Sequence, residues 1–232
     1  MECLCKPKAS NQLLHDAGIF VQCDFLTMEY VPRLPRLSSQ VVLGPHLIIK
    51  SLQDRAFSSL QTLRSLSIKA TAINNWHPGA VSFLPLLSQL SVRADNVTPG
   101  SLLDRTYFQG LTSLSSLYLS MGLQAVPLAL CNLLNLTTLI LSDNSIKHLS
   151  FPPCFSNLTK LRILDLSNNP VEVLNPKIFH RIYSLDISFI SLSHMDLVDH
   201  VHQDTFKYFK DLKALYLTCS HIKKHKFYFN TC

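Results

Sequence analysis

One apolar pattern, Leu-x-x-Leu-x-Leu followed by a polar turn, recurs along this chain and constrains its fold more than any other feature. It is clearest in "NLTTLILSDN" and, one copy later, in "KLRILDLSNN". Leu139 and Leu141 are two residues apart, so a helix would place them on different faces and a strand would place them on the same face. Each copy therefore predicts a short strand followed by a turn.

The copies are numerous and regularly spaced. Successive copies begin between 21 and 30 residues apart, an interval typical of leucine-rich repeats. We therefore predict an α/β fold of the leucine-rich-repeat class, a right-handed, horseshoe-shaped solenoid of about seven or eight repeats with short parallel strands on its concave face. A degenerate copy precedes the others near "LIIKSLQDRAF", and we expect the last copy to be truncated. The copies begin at Leu63, Leu87, Leu114, Leu136, Leu161, Ile182 and Leu212.

Two sets of side chains are predicted to build the core. The strand leucines, such as Leu139, Leu141, Leu164 and Leu166, point inward and are removed from water by the neighbouring repeats. A phenylalanine in the second half of several repeats fills the convex side. These phenylalanines are Phe57, Phe108, Phe155 and Phe179.

An asparagine comes after the strand in two repeats, at Asn144 and Asn169. A buried turn leaves backbone N–H and C=O groups without strand partners, and a side-chain amide can pair with both kinds. We predict that these residues form a structural ladder and that Asn144→Ala costs about 1–3 kcal/mol. The ladder should be looser in other repeats, where the position holds Thr71, Asp95, Gly122 and Ser220.

The N-terminal region resembles the cysteine-rich flank that caps extracellular leucine-rich-repeat proteins. It carries C-x-C and then "VQCDFLTMEYVPRLP", and the resemblance implies a cap at residues 1–36 before a solenoid at residues 37–232. The disulfide candidates in the cap are Cys3, Cys5 and Cys23. Such caps hold an even number of cysteines, and "MECLCKPKAS" contains no readable signal peptide. We therefore expect a further cysteine and a secretion signal upstream, with three reduced cytosolic thiols as the alternative.

Other features also bear on the cellular compartment. Cys131 and Cys154 fall at nearly the same place in adjacent repeats, which allows either a disulfide or two buried free thiols. Three N-x-[ST] sequons predict glycosylation of an extracellular protein. Their asparagines are Asn96, Asn135 and Asn157.

The body of the chain resembles the ectodomains of Toll-like receptors. The resemblance is carried by "FSNLTKLRILDLSNNPVEVL", "DRAFSSLQTLRSL" and "DTFKYFKDLKALYL". It implies an innate immune receptor that binds a microbial or endogenous ligand (protein, glycan or nucleic acid), forms homo- or heterodimers, and signals through a membrane helix and a TIR domain. This sequence carries neither of those two parts, so we expect the N-terminal portion of an ectodomain, in the extracellular space or the endosomal lumen.

Two other classes remain open from the sequence. The first is a secreted matrix or adhesion leucine-rich-repeat protein, which binds other proteins without signalling. The second is a cytosolic scaffold, which would keep its cysteines reduced.

The register of the repeats defines two candidate binding regions. On the concave face, hydroxyl side chains dominate and charged residues are few, which favours a protein or glycan ligand over a phosphate chain; the alternative is a solvated sheet face. The candidate residues there are Lys69, Arg93, Tyr118, Ile140, Asp165, Asp186 and Tyr216.

The second region is a basic, histidine-rich patch that begins in the long repeat starting at Ile182. Protonated histidines would strengthen a contact with a polyanion at endosomal pH; the alternative is an exposed, solvated loop. The patch comprises His194, His200, His202, His221, Lys223, Lys224, His225 and Lys226.

The sequence gives no sign of catalysis, and we expect no enzyme, no cofactor and no bound metal. It contains no nucleophile elbow, phosphate-binding glycine loop or zinc-protease motif. The sequence His200-x-His202 is too short a signal for a metal site without further ligands. Asp165 and Asp186 are expected to be neighbours on the concave face, where they would serve recognition. The net charge of +6 permits an acidic partner but does not require one.

Overall fold

The strands of successive repeats form one continuous sheet. A computed structural model describes residues 5–8, 19–23, 27–97, 103–195 and 201–218, and within these ranges eleven strands belong to the same sheet. The strands are β1 (Cys5–Lys8), β2 (Ile19–Cys23), β3 (Thr27–Met28), β4 (Ser38–Ile49), β5 (Ser65–Ile73), β6 (Gln89–Val97), β7 (Ser116–Ser120), β8 (Thr138–Ile140), β9 (Ile163–Asp165), β10 (Phe189–Ser191) and β11 (Ala214–Tyr216).

The sheet has the topology predicted from the repeats. From β4 to β11 each strand pairs in parallel with the next one along the chain, and each crossover is one repeat long. β2 pairs in parallel with β4, β3 lies off the main path beside β4, and β1 pairs antiparallel with β2. The predicted leucine-rich-repeat solenoid is therefore confirmed.

The inward side chains stack in register across the sheet. Leu66 pairs with Leu90, Leu90 with Leu117, and this row continues through Leu139 and Leu164. All five side chains are at most 2% exposed. A single repeat has no second layer to cover its leucines, so the burial that stabilises each one comes from its neighbours.

Strand length differs between the two halves of the solenoid, and in β5, β6, β8 and β9 it follows the residue after the strand. β5 and β6 have nine residues each, because their pairing continues past Thr71 and Asp95 to Ile73 and Val97. β8 and β9 have three residues each and are followed by Asn144 and Asn169. The prediction of short strands is therefore correct only for the later repeats. In β5 and β6, which lack this asparagine, continued strand pairing satisfies the backbone instead of a looser turn.

The convex side consists of turns and very short helical elements. These are two 3₁₀ turns at Leu128–Asn132 and Pro153–Asn157 and one four-residue helix, α1 (Pro176–Phe179). Asn175 caps α1 by accepting a hydrogen bond from the Lys177 backbone N–H at 3.0 Å, the usual role of asparagine at this position.

Phenylalanine side chains fill the space behind the sheet, as the sequence predicts. Phe57, Phe108, Phe155 and Phe179 are fully buried. Further rings extend this layer, since Phe151 lies 5.3 Å from Phe155 and 6.0 Å from Phe179 between ring centroids. The convex layer is thus continuous between neighbouring repeats.

The sixth repeat has a different frame from the predicted one. The segment "IYSLDISFISL" contains two overlapping copies of the pattern, "IYSLDI" and "ISFISL". The strand is Phe189–Ser191, and Ile190 pairs with Leu164, so the second copy is the one that enters the sheet. Leu185 instead closes a turn by donating its backbone N–H to the carbonyl of Ile182 at 3.1 Å.

This frame corrects two expectations. The strand expected from the copy that begins at Ile182 is wrong, so Asp186 does not lie on the strand beside Asp165, whose partner on β10 is Ser191. The repeats on either side of β10 are also nearly equal in length, so the long repeat predicted from Ile182 is an artefact of the wrong frame.

The cysteines that the structure describes are partly paired. Cys131 and Cys154 form a disulfide with Cα atoms 5.5 Å apart, which links the two 3₁₀ turns of adjacent repeats. Cys23 is buried and also disulfide-bonded, and Cys5 lies opposite it in the antiparallel pairing of β1 with β2. Cys3 lies outside the described residues. Of the two alternatives for Cys131 and Cys154, the structure has the disulfide.

The helical elements are short in comparison with the thickness of a lipid bilayer. Within residues 5–8, 19–23, 27–97, 103–195 and 201–218, no helix has the length and apolarity needed to cross a membrane.

Candidate functional site

The side chains that alternate with the buried leucines line the opposite side of the sheet, which we call the strand face. Strand pairing aligns most of them in two rows that run from β4 to β11, and it places Lys69, Arg93 and Ser120 beside one another next to the second row. The first row is Gln40, Ser65, Gln89, Ser116, Thr138, Ile163, Phe189 and Ala214. The second row is Val42, Ser67, Ser91, Tyr118, Ile140, Asp165, Ser191 and Tyr216.

Two cations lie side by side at one end of this face, which we call the basic end. Lys69 on β5 and Arg93 on β6 are direct partners in the parallel pairing, and both are exposed. They border a depression of about 260 Å³. Its lining residues are Pro45, Lys69, Ala70, Thr71, Arg93 and Asp95.

The backbone of β4 approaches the basic end closely at Gly44. Its φ is +115°, and a Cβ atom there would collide with the carbonyl oxygen of Lys69. Glycine is needed at this position for both reasons. The close approach positions Pro45 at the wall of the depression.

The other end of the strand face is apolar, and we call it the aromatic end. It consists of Tyr118, Ile140, Ile163, Phe189 and Tyr216. Ile163 is 36% exposed and Tyr216 is 47% exposed, and the rings of Phe189 and Tyr216 are 5.1 Å apart between centroids. Exposed rings and branched side chains on neighbouring strands are the groups that typically anchor protein partners.

Carboxylates lie within and beside the aromatic end. Asp165 is half-buried, and its Oδ1 accepts hydrogen bonds from the backbone N–H and the hydroxyl of Ser167 at 2.9 and 2.6 Å. Asp143 accepts a hydrogen bond from Asn168 at 2.9 Å and one from the Tyr118 hydroxyl at 3.5 Å. This end of the face is therefore acidic as well as apolar, in contrast with the basic end.

Asp186 does not join this group. It lies before β10 rather than on it, and its carboxylate forms an ion pair with Arg162 at 3.3 Å. Both side chains are substantially exposed, so the pair contributes little to stability. The carboxylate pair expected from Asp165 and Asp186 on one face is not formed.

The two ladder asparagines lie directly beneath the later part of the face. Oδ1 of Asn144 accepts from the backbone N–H groups of Met121 and Leu123, both at 3.0 Å, and its Nδ2 donates to the Leu119 and Leu141 carbonyls at 2.7 and 2.9 Å. Asn169 makes the same kind of contacts one repeat later, with Ile146, Leu141 and Leu166. These bonds fix the turns that come after β8 and β9.

The histidine-rich patch is described only in part. His194 is exposed in a left-handed conformation with φ of +56°, and His202 is exposed with its Nδ1 accepting from the Asp204 backbone N–H at 3.2 Å. The remaining members, His200, His221, Lys223, Lys224, His225 and Lys226, lie outside the described residues. Across the part of the chain that the structure describes, no group of three or more His, Cys, Asp or Glu side chains is arranged to hold a metal ion.

The three sequon asparagines have different surroundings. Asn96 is exposed near the end of β6, and Asn157 is exposed at the end of a 3₁₀ turn. Asn135 is half-buried, and its Nδ2 donates to the Thr112 carbonyl at 2.6 Å while its Oδ1 accepts from Lys160. A glycan on Asn135 would replace one of the two hydrogens of the Nδ2 that donates to Thr112.

Some residues of the strand face were not predicted from the sequence. Phe189 was excluded because the frame of its repeat was wrong, although "ISFISL" fits the repeat pattern as well as "IYSLDI" does. Gln40 and Val42 were missed because Ser38 stands in β4 where the other repeats begin with leucine or isoleucine. Thr71 was assigned to a ladder position and not to the lining of a depression.

The fold is that of a leucine-rich-repeat solenoid. Residues 134–197 match the family model described as leucine rich repeat.

The chain is also similar to several known proteins. It matches lumican from Coturnix japonica with 27% identity over 225 residues, which covers 95% of this chain and 60% of lumican. It superposes on Toll in the Drosophila Toll–Spatzle complex with a TM-score of 0.64 and 20% identity over 83% of this chain and 25% of that one. It superposes on TLR13 in its complex with ssRNA13 with a TM-score of 0.67 and 25% identity over 82% of this chain and 26% of that one. The chain thus spans 60% of the curated relative and about a quarter of each receptor.

Proposed function

We propose that this chain is a ligand-recognition segment of a Toll-like receptor ectodomain in innate immune signalling, and that the strand face makes the contact. The observation that carries the proposal is the aromatic end. Ile163 and Tyr216 remain 36% and 47% exposed on a sheet whose other side is largely buried. Large apolar side chains grouped on a rigid exposed face favour a binding role over a purely structural one.

The rigidity of the face supports recognition and not catalysis. Its residues are fixed by parallel strand pairing and by the asparagine bonds beneath them, so a partner would meet a preformed surface and lose little affinity to reordering. Asp165, the carboxylate on β9, is already bonded to Ser167. The described face offers no enclosed cleft that excludes water around a reactive group.

The similarities to known structures support a receptor. Toll was solved with Spatzle, and TLR13 with single-stranded RNA, so the same fold serves both protein and nucleic-acid ligands. For this chain we propose a microbial or endogenous ligand and a receptor homo- or heterodimer. The corresponding location is the extracellular space or the endosomal lumen, with any membrane contact made by other parts of the receptor.

The N-terminal region fits this proposal. We assign residues 1–36 to a cysteine-containing cap and residues 37–232 to the solenoid. β1 and β2 form an antiparallel pair on the edge of β4, and a disulfide holds Cys23. This pair covers the edge of β4, as the cap of a solenoid must. The disulfide of Cys23 favours an oxidising compartment.

One observation favours a second candidate. The match to lumican extends over 95% of the chain, so a secreted matrix or adhesion protein that binds other proteins without signalling is also consistent with the strand face. The two candidates differ in the domains expected on the C-terminal side of the repeats.

The transcript that encodes this chain separates the candidates. We expect its coding sequence to continue into further repeats, a membrane helix and a TIR domain. A cysteine cap and then a stop codon, without a membrane helix, would reject the receptor proposal and favour the matrix protein.

A reporter assay on the full-length product then tests the strand face. We expect Ile163→Lys to abolish signalling induced by a panel of microbial protein, glycan and nucleic-acid fractions, because a charge would enter the apolar contact. The matched control is Leu134→Lys, since Leu134 is 54% exposed but lies outside both rows. Equal loss of signal in both variants at equal surface expression would contradict a role for the strand face.

A further inference from the structure

We propose that the basic end binds an acidic saccharide, with one sulfate or carboxylate group held between Lys69 and Arg93. This inference rests on the proposed function only in taking the strand face as the binding face. It adds the chemical class of the ligand and a subsite separate from the aromatic end.

The two cations are placed so that one anionic group can contact both. Lys69 and Arg93 are direct partners on adjacent parallel strands, and neighbouring strands lie about 4.8 Å apart. Like charges placed opposite each other on a sheet repel and destabilise it. Among the described ion pairs, neither side chain has an acidic partner within 4.0 Å. Both charges are therefore available to an anion, whose binding would relieve their repulsion.

The depression beside these cations sets the size of the bound group. At about 260 Å³ it lies just below the range of roughly 300–1,000 Å³ typical of sites for drug-sized molecules. Pro45 forms a rigid apolar part of its lining, and Thr71 contributes a hydroxyl that can donate to an anion or to a sugar oxygen. The site accommodates one charged group with part of the ring that carries it.

The surroundings favour a saccharide over a nucleic acid. The neighbouring positions of the strand face are Ser65, Ser67, Gln89 and Ser91, which supply donors and acceptors suited to sugar hydroxyls. Single-stranded nucleic acid is usually held by aromatic rings that stack on bases together with a basic groove along its backbone. The face positions of β5 and β6 carry no aromatic side chain and only these two cations.

Asp95 sharpens the selectivity for an isolated charge. It lies two residues after Arg93 on the same side of β6 and borders the same depression. Its carboxylate would repel a second anionic group that lies further along the strand, so this subsite holds one anionic group. Replacing Asp95 by asparagine should therefore strengthen the binding of anions.

Isothermal titration calorimetry of the full chain with four probes of matched length tests the proposal. The probes are a heparin octasaccharide with sulfate and carboxylate groups, a hyaluronan octasaccharide with carboxylate groups alone, a neutral dextran oligosaccharide, and a single-stranded RNA octanucleotide. We expect one or both acidic saccharides to bind with an affinity that falls as salt is added, and dextran not to bind. The stronger of the two identifies the group as sulfate or carboxylate.

Matched variants separate the subsite from the general positive charge of the chain. We expect Lys69→Gln with Arg93→Gln to weaken saccharide binding roughly tenfold or more, because two charge-assisted contacts are lost. Arg181→Gln with Lys210→Gln removes the same charge from exposed positions away from the face and should leave affinity unchanged. Asp95→Asn should raise affinity about two- to fivefold. Circular dichroism of each variant verifies folding, and Lys69→Arg should retain binding if the positive charge at that position is what matters.

Three outcomes would overturn the proposal. These are no binding of either acidic saccharide, an equal loss of affinity in both double variants, and tighter binding of the RNA than of both saccharides. The test is independent of the sequence of the transcript. Saccharide binding by a protein whose transcript encodes no TIR domain would reject the receptor proposal and support the subsite. A transcript that encodes a TIR domain, together with no saccharide binding, would support the receptor proposal and reject the subsite.

Discussion

Replacing Asn144 by alanine tests how the later repeats end their strands. The side chain is 8% exposed and its Oδ1 accepts two backbone N–H groups at 3.0 Å. The two hydrogens of Nδ2 are shared among the carbonyls of Leu119, Leu141 and Ser142 at 2.7, 2.9 and 3.2 Å. At most four bonds are therefore satisfied at once, two by each end of the amide.

The expected loss follows from these four bonds. Each contributes about 1 kcal/mol net, and an orphaned buried group costs about 1–3 kcal/mol. Water that enters the space left by the amide would replace some of the lost hydrogen bonds. We therefore expect Asn144→Ala to lower the free energy of unfolding by about 3–4 kcal/mol. This is at or above the top of the range expected from the sequence alone, because the number of partners becomes known only from the structure.

Urea unfolding monitored by circular dichroism measures the loss. With a slope of about 2 kcal/mol per molar urea, 3–4 kcal/mol lowers the midpoint by about 1.5–2 M. Hydrogen exchange should also show loss of protection at the amides of Met121 and Leu123. Asn157→Ala is the control, since Asn157 is exposed and its loss should cost at most about 0.5 kcal/mol. Equal midpoints for the two variants would refute the reasoning.

Three further predictions concern the disulfide, a buried phenol and the glycans. Cys131→Ala with Cys154→Ala should cost about 3 kcal/mol, since the bridge closes a loop with a sequence separation of 23; a melting temperature equal to that of the oxidised wild type would contradict it. Desolvation, and secondly the charge of a neighbouring tyrosine, raise the pKa of Tyr183 to about 12 from its ordinary value of 10.0. Folding thus favours the neutral phenol, so stability that is present below pH 10 should be lost between pH 10 and about 12. Urea midpoints measured across this range should show the decline, and Tyr183→Phe should remove it. An identical decline in both proteins would exclude Tyr183 as its cause. In the protein secreted from mammalian cells, mass spectrometry should find a glycan on the exposed Asn157 and none on Asn135, which is half-buried between Thr112 and Lys160; full occupancy of both would count against these surroundings of Asn135.

The sheet was predictable because the same leucine pattern recurs in successive repeats. Leu139 and Leu164 occupy the same place in their repeats and are fully buried, and one layer of leucines can be covered only by the next. Apolar side chains that recur every two residues within a strand, together with a repeat period of 20–30 residues, leave little choice of fold. The convex phenylalanines such as Phe155 were predictable for the same reason.

The frame of the sixth repeat was not predictable from the local pattern. "IYSLDI" and "ISFISL" share Ile187 and fit the leucine pattern equally well. The choice depends on whether Leu164 pairs with Leu185 or Ile190, which is a contact between distant residues. Local pattern counting does not contain that information, and it therefore placed Asp186 on the strand in error.

The candidate site was predictable only in part. Lys69 and Arg93 could be assigned to the same face from the strand period, but their adjacency depends on the register between β5 and β6. The depression beside them also needs Gly44, which lies in the bulged strand that the repeat pattern did not reveal. The disulfide between Cys131 and Cys154 was also undecided, because the two cysteines do not occupy identical positions in their repeats. The two 3₁₀ turns nevertheless bring them together.

Hydroxyl-radical footprinting of the chain, free and saturated with an acidic octasaccharide, tests most directly whether the strand face is the surface that binds. We predict protection on the strands that carry the basic end, with Tyr118 as the nearest reactive ring, and unchanged reactivity at Leu128 and Tyr208, which are exposed outside both rows. Protection confined to Leu128 and Tyr208, or no protection on the strand face at saturation, would show that the ligand binds elsewhere.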